Sequence, residues 1–157
     1  MTALGLLTLV LLTACAEPTA SSDPTTTGPV TTTGSGFATA TIEVAGTELK
    51  VWVADTPSQR AQGLREVEAL PEGVDGMLFV WETPTTPTFG MRDTLIPLDI
   101  WWFDADGVLI GMTEMRTCPD GDCVSYAAPG PVRWALETPA GAHDFPPEAD
   151  LTTSANE

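Results

Sequence analysis

The residues best suited to chemistry lie between positions 91 and 99, where a cation, a hydroxyl and two carboxylates occur close together. Five candidate ligand-binding residues lie in this segment and two follow later in the chain. They are Met91, Arg92, Asp93, Thr94, Asp99, Tyr126 and Arg133. A guanidinium among hydroxyls and carboxylates suits a small polar ligand or a peptide better than a lipid, because it forms paired hydrogen bonds with anionic oxygens. The alternative is an enzyme in which one of the aspartates is the acid or base and one of the arginines stabilises charge.

Asp99 stands apart because it interrupts the strongest apolar run of the chain, Ile96 to Phe103. A carboxylate in such a run either faces solvent from a strand or is buried and paired. Arg92 and Arg133 are its candidate partners. We favour a structural role for Asp99, in an ion pair or satisfied by the backbone, and a catalytic role remains the alternative.

Two further groupings bear on metal binding. Cys118 and Cys123 enclose a turn-forming Pro-Asp-Gly-Asp insert and favour a disulfide. The alternative is a redox pair or a soft-metal site, which would need more ligands than His143. Asp104 and Asp106 are typical of a turn, since the further ligands of an EF-hand calcium loop are missing. We therefore expect no metal and no cofactor, and a single histidine disfavours a Ser-His-Asp mechanism.

The third cysteine, Cys15, follows an apolar run at residues 1–14. That run is shorter than the roughly 20 residues of a membrane span and fits the core of a signal peptide, with a short buried helix as the alternative. Leu12-Thr13-Ala14-Cys15 looks like a bacterial lipobox, in which the cysteine carries the lipid. Residues 15–39 are rich in Thr, Ser, Pro and Gly and are expected to form a disordered linker. We expect an extracytoplasmic protein of the cell envelope, held at a bacterial membrane by this lipid.

The composition limits the class of partner. With 22 acidic and 6 basic residues the chain carries a net charge of −16, which has the wrong sign for binding nucleic-acid phosphates. A hydrophobic fraction of 43% is too high for a wholly disordered chain. The length of 157 residues fits one domain, placed at 40–150 with a disordered tail at 151–157. We expect a monomer whose partner is a small polar ligand or an envelope protein.

The residues that position these groups follow a strand pattern. Apolar residues alternate with polar ones on both sides of Ala45-Gly46-Thr47, which predicts a β-hairpin. Thr56 and Gln59 fit a capping box with Pro57 at the first helical position, so a short helix is expected near 57–63.

Four more segments complete the strand pattern. Met77 to Trp81 and Val132 to Glu137 are predicted strands, and the run ending at Phe103 pairs through an Asp-Gly turn with Val108 to Met112. The fold class is therefore mainly β, a compact antiparallel β-sandwich or barrel-like domain with one short helix. The five tryptophans are expected in the core rather than as sugar-stacking platforms, with one of Trp101 and Trp102 exposed because they alternate.

The segments Gly76 to Phe79 and Phe89 to Ile100 carry a resemblance to domain of unknown function family 192, over about residues 47–142. Further matching features are the Val-Ala-Asp-Thr-Pro segment at 53–57, Arg60, Gly63-Leu64, both later cysteines, Tyr126, the Pro-Gly-Pro loop at 129–131 and Leu136-Glu137. The resemblance implies a compact β-rich sandwich or barrel with a short helix, and no settled activity.

The chain departs from the family pattern where Gly90 replaces a Trp and Asp93 replaces an Asn. An ionised Asp offers only acceptors where an Asn also offers donors, so a ligand contact through that amide is not expected here. On these grounds we favour an accessory or ligand-binding module of the envelope. An enzyme using Asp99 and Arg92, or a purely structural envelope protein, are the alternatives.

Overall fold

The structure, a computed structural model, describes residues 31–32 and 36–153. Its one described helix is α1 (Pro57–Gln62). The described strands are β1 (Thr31–Thr32), β2 (Ala38–Val44), β3 (Thr47–Ala54), β4 (Gly76–Thr85), β5 (Thr88–Gly90), β6 (Leu98–Phe103), β7 (Leu109–Met115), β8 (Ser125–Ala127), β9 (Val132–Pro139) and β10 (Leu151–Thr153). The mainly β, barrel-like fold with one short helix is confirmed. The predicted signal peptide, Cys15 and most of the predicted linker lie outside the described residues.

The strands form one large curled sheet in the order β1-β2-β3-β4-β9-β6-β7, and β10 also pairs with β2. Its pairs are antiparallel except β3 and β4, which run parallel, so the sheet is mixed rather than wholly antiparallel. This exception follows from α1 and the loop after it, which carry the chain back before β4 begins. A separate two-stranded ribbon of β5 and β8 lies apart from this sheet.

Residues 149–151 connect the two edges of the curled sheet. Val108 and Asp150 form an isolated bridge, and the Leu109 amide donates to the Ala149 carbonyl at 2.9 Å. Leu151 pairs with Val44 at the opposite edge and is buried. Residues 151–153, which the composition assigned to a tail, therefore complete the sheet.

Local sequence explains the start of α1. The Gln59 amide donates to the Thr56 hydroxyl at 3.3 Å, and the Thr56 amide donates to Gln59 Oε1 at 3.1 Å. This is the reciprocal capping box predicted from the sequence. Gly63 ends the helix with a positive φ of 53°, and its amide donates to the Gln59 carbonyl.

None of the described residues forms a helix with the length and apolar character that a membrane span needs.

The sheet has two buried faces. We call one the sealed face and the other the cleft face, because a cleft described below opens on the second. The sealed face is packed by Ile42, Val44, Leu49, Val51, Leu78, Trp101, Phe103, Leu109, Leu136, Phe145, Ala149 and Leu151. The cleft face carries Trp52, Met77, Phe79, Ile100, Trp102 and Ala135 and is covered by the segment after α1 and by the β5–β8 ribbon. Trp101 and Trp102 point to opposite faces and are both buried, at 2% and 0% exposure. The expectation that one of them is exposed is wrong, because both faces are covered.

Candidate functional site

A cleft of about 560 Å³ opens on the cleft face, between the helix and the ribbon. One wall is the end of α1 and the residues after it, where the chain turns at Gly63. The other wall is formed by residues 87–94 and by residues 123–125, which meet where β5 pairs with β8. Strands β4 and β9 supply the floor. The cleft is therefore assembled from segments that are far apart in the sequence.

Three arginines line this cleft, although the whole chain has only five arginines and one lysine. Arg60 is held in place, since its Nη1 donates to the carbonyls of Asp55 and Val80 and its guanidinium lies 5.6 Å from the Trp81 ring centroid. Arg65 is half-exposed, and its Nη2 is 3.9 Å from Asp93 Oδ2. Arg92 is exposed and makes no hydrogen bond or ion pair with any described residue.

An aromatic surface lies beside the arginines. Phe89 packs edge-on against Phe79 at 4.8 Å between ring centroids and against Trp81 at 6.3 Å. Behind it, Phe89 meets Trp102 of the core at 5.3 Å. The phenylalanine thus packs against three aromatic neighbours, and the cleft offers an apolar surface next to cationic groups.

Glu137 is the one acidic residue in the lining formed by the described residues. In β9 it lies between Met77 of β4 and Ile100 of β6, so its sheet neighbours are apolar. It is only 5% exposed, and it has no hydrogen-bond or ion-pair partner among the described residues. Burial raises the pKa of its carboxyl from 4.5 to about 8, because the charged form loses its hydration. The group is therefore largely neutral at pH 7.

Gly76 allows Glu137 to occupy this position. A Cβ at residue 76 would lie 2.2 Å from the Glu137 carbonyl oxygen, closer than any side chain can come. The absence of a side chain lets β4 and β9 approach each other at the floor of the cleft.

Two buried indole groups on the cleft face also lack partners. The Nε1 atoms of Trp52 and Trp102 are buried without a hydrogen-bond partner among the described residues.

The wall at residues 123–125 is attached to a small covalent loop. Cys118 and Cys123 form the predicted disulfide, with a Cα–Cα distance of 5.2 Å. Cys123 itself lines the cleft, together with Val124, which is 62% exposed. Among the described residues, no cluster of three or more His, Cys, Asp or Glu side chains could hold a metal ion.

Of the sequence-predicted site residues, Arg92 and Thr94 line the cleft. Met91 is fully buried in the core below it. Asp93 lies at the rim with a positive φ of 61°, where its carbonyl accepts from the Glu66 amide at 2.8 Å. Tyr126 pairs with Phe89 across the ribbon, and its hydroxyl accepts from the Arg116 amide at 3.2 Å. Tyr126 therefore supports the wall without lining it.

Asp99 and Arg133 lie outside the cleft. Asp99 is buried on the sealed face, where its Oδ2 accepts from the Gly141 amide at 2.7 Å, and it pairs with neither candidate arginine. Arg133 donates from Nε to the Trp81 carbonyl at 2.8 Å and stacks 4.9 Å from the Trp134 ring centroid. The structure thus separates Asp99 from Arg92 by the sheet itself and does not assemble the hypothetical acid–arginine pair.

Arg60, Arg65 and Glu137 were missing from the predicted site. Arg60 and Glu137 belong to segments that carry the family resemblance, and this was the available signal. Strand alternation places Glu137 on the same side as Arg133, which by itself suggests a solvated side. In the structure, Glu137 instead faces a cleft whose walls include residues 60–65 and 87–94.

Comparisons with known proteins agree with this architecture. The sequence model of DUF192, described as "Uncharacterized ACR, COG1430", matches residues 39–145. A protein of unknown function from Novosphingobium aromaticivorans DSM 12444 is similar in structure, with a TM-score of 0.69, 25% identity, and coverage of 85% of this chain and 99% of that one. A candidate transcription regulator from Sinorhizobium meliloti 1021 gives a TM-score of 0.66, 25% identity, and coverage of 76% and 96%. No curated protein shows a significant match.

Proposed function

Because the chain belongs to domain of unknown function family 192, whose description assigns no activity, we propose a function from the chemistry of the cleft: it binds a small anion that carries an aromatic ring. The observation that carries this proposal is the placement of charge. Three of the five arginines line one cleft in a chain of net charge −16. Such a local reversal attracts an anion to this place and repels it elsewhere.

The three arginines contribute differently. Arg60 is tied to two backbone carbonyls and to Trp81, so it supplies fixed positive charge. Arg92 is free of partners among the described residues and can reach an oxyanion with a bidentate pair of hydrogen bonds. Arg65 is attracted to Asp93, an exposed pair that holds little energy in water and can exchange for a ligand.

The aromatic surface defines the second half of the ligand. Trp81 and Phe89 are half-buried, and their rings line the same cleft as the arginines. A planar apolar body can stack there while its anionic group reaches the guanidinium groups, which is the usual composition of a small-molecule site. Free aryl carboxylates and peptides that end in an aromatic residue share this chemistry.

The test compares matched probes on the full chain by thermal shift and calorimetry. Benzoate and phenyl phosphate should raise the melting temperature more than benzyl alcohol, which has the ring without the charge, or acetate, which has the charge without the ring. Arg92→Gln should weaken benzoate binding about tenfold or more, by loss of a charge-assisted contact. Arg116→Gln is the control, because that residue is 83% exposed and outside the cleft lining.

Two results would contradict the proposal. Equal shifts with benzoate and benzyl alcohol would show that the charge plays no part. Unchanged benzoate affinity in the Arg92 variant would show that the ligand does not use this cleft. The Sinorhizobium description is not extended to this chain, because a net charge of −16 opposes contact with DNA phosphates.

We also propose that a lipid on Cys15 holds this domain at the outer side of a bacterial membrane as an accessory module of the cell envelope. The support is the Leu12-Thr13-Ala14-Cys15 sequence and the Thr-, Ser-, Pro- and Gly-rich stretch that follows it. The Cys118–Cys123 disulfide suits an oxidising compartment. Cys15→Ala should move the protein from the membrane fraction to the soluble fraction, and unchanged fractionation would refute the anchor.

A further inference from the structure

We infer that Glu137 binds the ligand directly as a neutral carboxylic acid, donating its O–H to an oxyanion oxygen that the cleft arginines also attract. The inference rests on the proposed function and narrows it. The ligand must present an anionic group with at least two acceptor oxygens, a carboxylate or a phosphate. Binding is then linked to the proton on Glu137.

The geometry leaves Glu137 little else to contact. Glu137 is only 5% exposed, yet it lines the cleft. A ligand in the cleft can therefore reach it. It has no partner among the described residues, although buried polar groups in proteins are rarely left in that state. An unpartnered acid at the floor of a cleft is a binding group that lacks only its ligand.

The surroundings keep this acid protonated. Its cross-strand neighbours are Met77 and Ile100, which provide no compensating charge. The charged groups that face the cleft are Arg60 and Arg65 from the helix side and Arg92 from the ribbon side, and none forms an ion pair with it. Cys123 is in the disulfide and does not titrate. Burial is thus the dominant influence and raises the pKa to about 8.

The protonation state decides what Glu137 does to an anion. A neutral carboxylic acid offers one O–H donor, which complements an oxyanion already held by guanidinium groups. An ionised carboxylate offers only acceptors and would repel the same oxyanion at short range. The cleft therefore accepts an anion below the pKa of Glu137 and rejects it above.

The experiment measures benzoate affinity from pH 6 to pH 9.5 by calorimetry on the full chain. Benzoate is ionised throughout this range, and Glu137 is the one acidic residue in the cleft lining that the described residues form. Wild-type affinity should fall about tenfold between pH 7 and pH 9. Glu137→Gln keeps a donor and stays neutral, so its affinity should be within a few-fold of wild type at pH 7 and should not fall by pH 9. Glu137→Leu should bind about tenfold more weakly at pH 7.

Glu114→Gln is the matched control, because that residue is 59% exposed on β7 and outside the cleft lining, and its pH profile should follow wild type. A second measurement needs no variant. Calorimetry of wild type at pH 8 in buffers of different ionisation enthalpy should show an uptake of about half a proton per benzoate bound.

The outcomes separate the two proposals. Benzoate binding with a flat pH profile and no proton uptake overturns the role of Glu137 and leaves anion binding in place. A Glu137→Gln profile that still falls between pH 7 and pH 9 also overturns the inference. Absence of binding by benzoate and phenyl phosphate at every pH overturns the proposed function together with it.

Discussion

The two faces of the curled sheet bury similar side chains but treat their polar atoms differently. On the sealed face, the Trp101 indole donates to Thr138 Oγ1 at 3.1 Å, and Asp99 accepts from the Gly141 amide. On the cleft face, Trp102 Nε1 is buried without a partner among the described residues. The carboxyl of Glu137, a residue that is 5% exposed and lines the cleft, also has no partner there. Neighbouring residues of β6 and β9 thus differ in whether their polar atoms are hydrogen-bonded.

This difference in hydrogen bonding indicates that the two faces have different roles. A polar atom that is buried and satisfied fixes one arrangement of the core, as Asp99 does. A polar atom that is buried and unsatisfied lowers stability, and it persists where another role outweighs that cost. The sealed face serves the fold, and the cleft face carries the groups that we assign to recognition.

The largest expected effect concerns the pH dependence of stability. Because Glu137 titrates near pH 8 in the folded chain and near 4.5 when unfolded, the unfolded chain releases this proton first as the pH rises. Its contribution to stability is therefore full below pH 4.5 and declines until about pH 8. Glu137→Gln removes this loss, so the free energy of unfolding of the variant relative to wild type should rise by about 3 kcal/mol or somewhat more from pH 5 to pH 8.

Urea unfolding at the two pH values measures this change. Glu114→Gln provides the reference, since its exposed carboxylate is not subject to the same burial. An equal pH dependence of the free energy of unfolding in wild type and in the Glu137 variant would show that burial does not raise the pKa of Glu137. The contrast between the faces would then be much weaker.

The second effect concerns the covalent support of the cleft. Replacing Cys118 and Cys123 with serine opens a loop with a sequence separation of 5, which should cost about 2 kcal/mol by chain entropy. Because residues 123–125 form part of the cleft wall, benzoate affinity should fall as well. Unfolding with and without reductant measures the first quantity. Loss of stability without loss of affinity would show that the wall does not contribute to binding.

The smallest effect compares two neighbouring tryptophans. Trp101→Phe leaves the buried Thr138 hydroxyl without its indole donor, whereas Trp102→Phe removes an N–H that has no partner. Both changes remove similar ring area, so Trp101→Phe should be more destabilising by about 1 kcal/mol. Urea unfolding of the two variants tests this. Equal losses would mean that the indole hydrogen bond does not distinguish the two faces.

Local signals predicted much of the fold. The capping box at Thr56, the β2–β3 and β6–β7 hairpins and the disulfide each depend on residues that are near in sequence, and each is present. The parallel β3–β4 pair was not predicted, because strand patterning does not encode pair direction. The strand at 151–153 was missed because three residues are too few to show alternation.

The site was predicted only in part for a related reason. Arg92 and Thr94 were found because they lie within one segment of suggestive composition. Glu137 lies in a strand whose alternation suggests a solvated side, and the walls of the cleft that it faces include segments more than 40 residues away in the chain. Asp99 was attractive because it interrupts an apolar run, but its side chain lies on the sealed face, opposite Leu98 and Ile100 of the cleft face.

The position of β9 has a consequence for the order in which the domain can form. This strand lies between β4 and β6 in the middle of the sheet, yet it comes from residues 132–139. Residues 149–151 join the two edges, and β10 pairs Thr153 with Ile42. A chain emerging amino end first cannot complete this sheet until residues 149–153 are available, and contacts of such long range slow folding. Until then the edge strands of the incomplete sheet lack their partners, and a net charge of −16 disfavours association of such chains with one another.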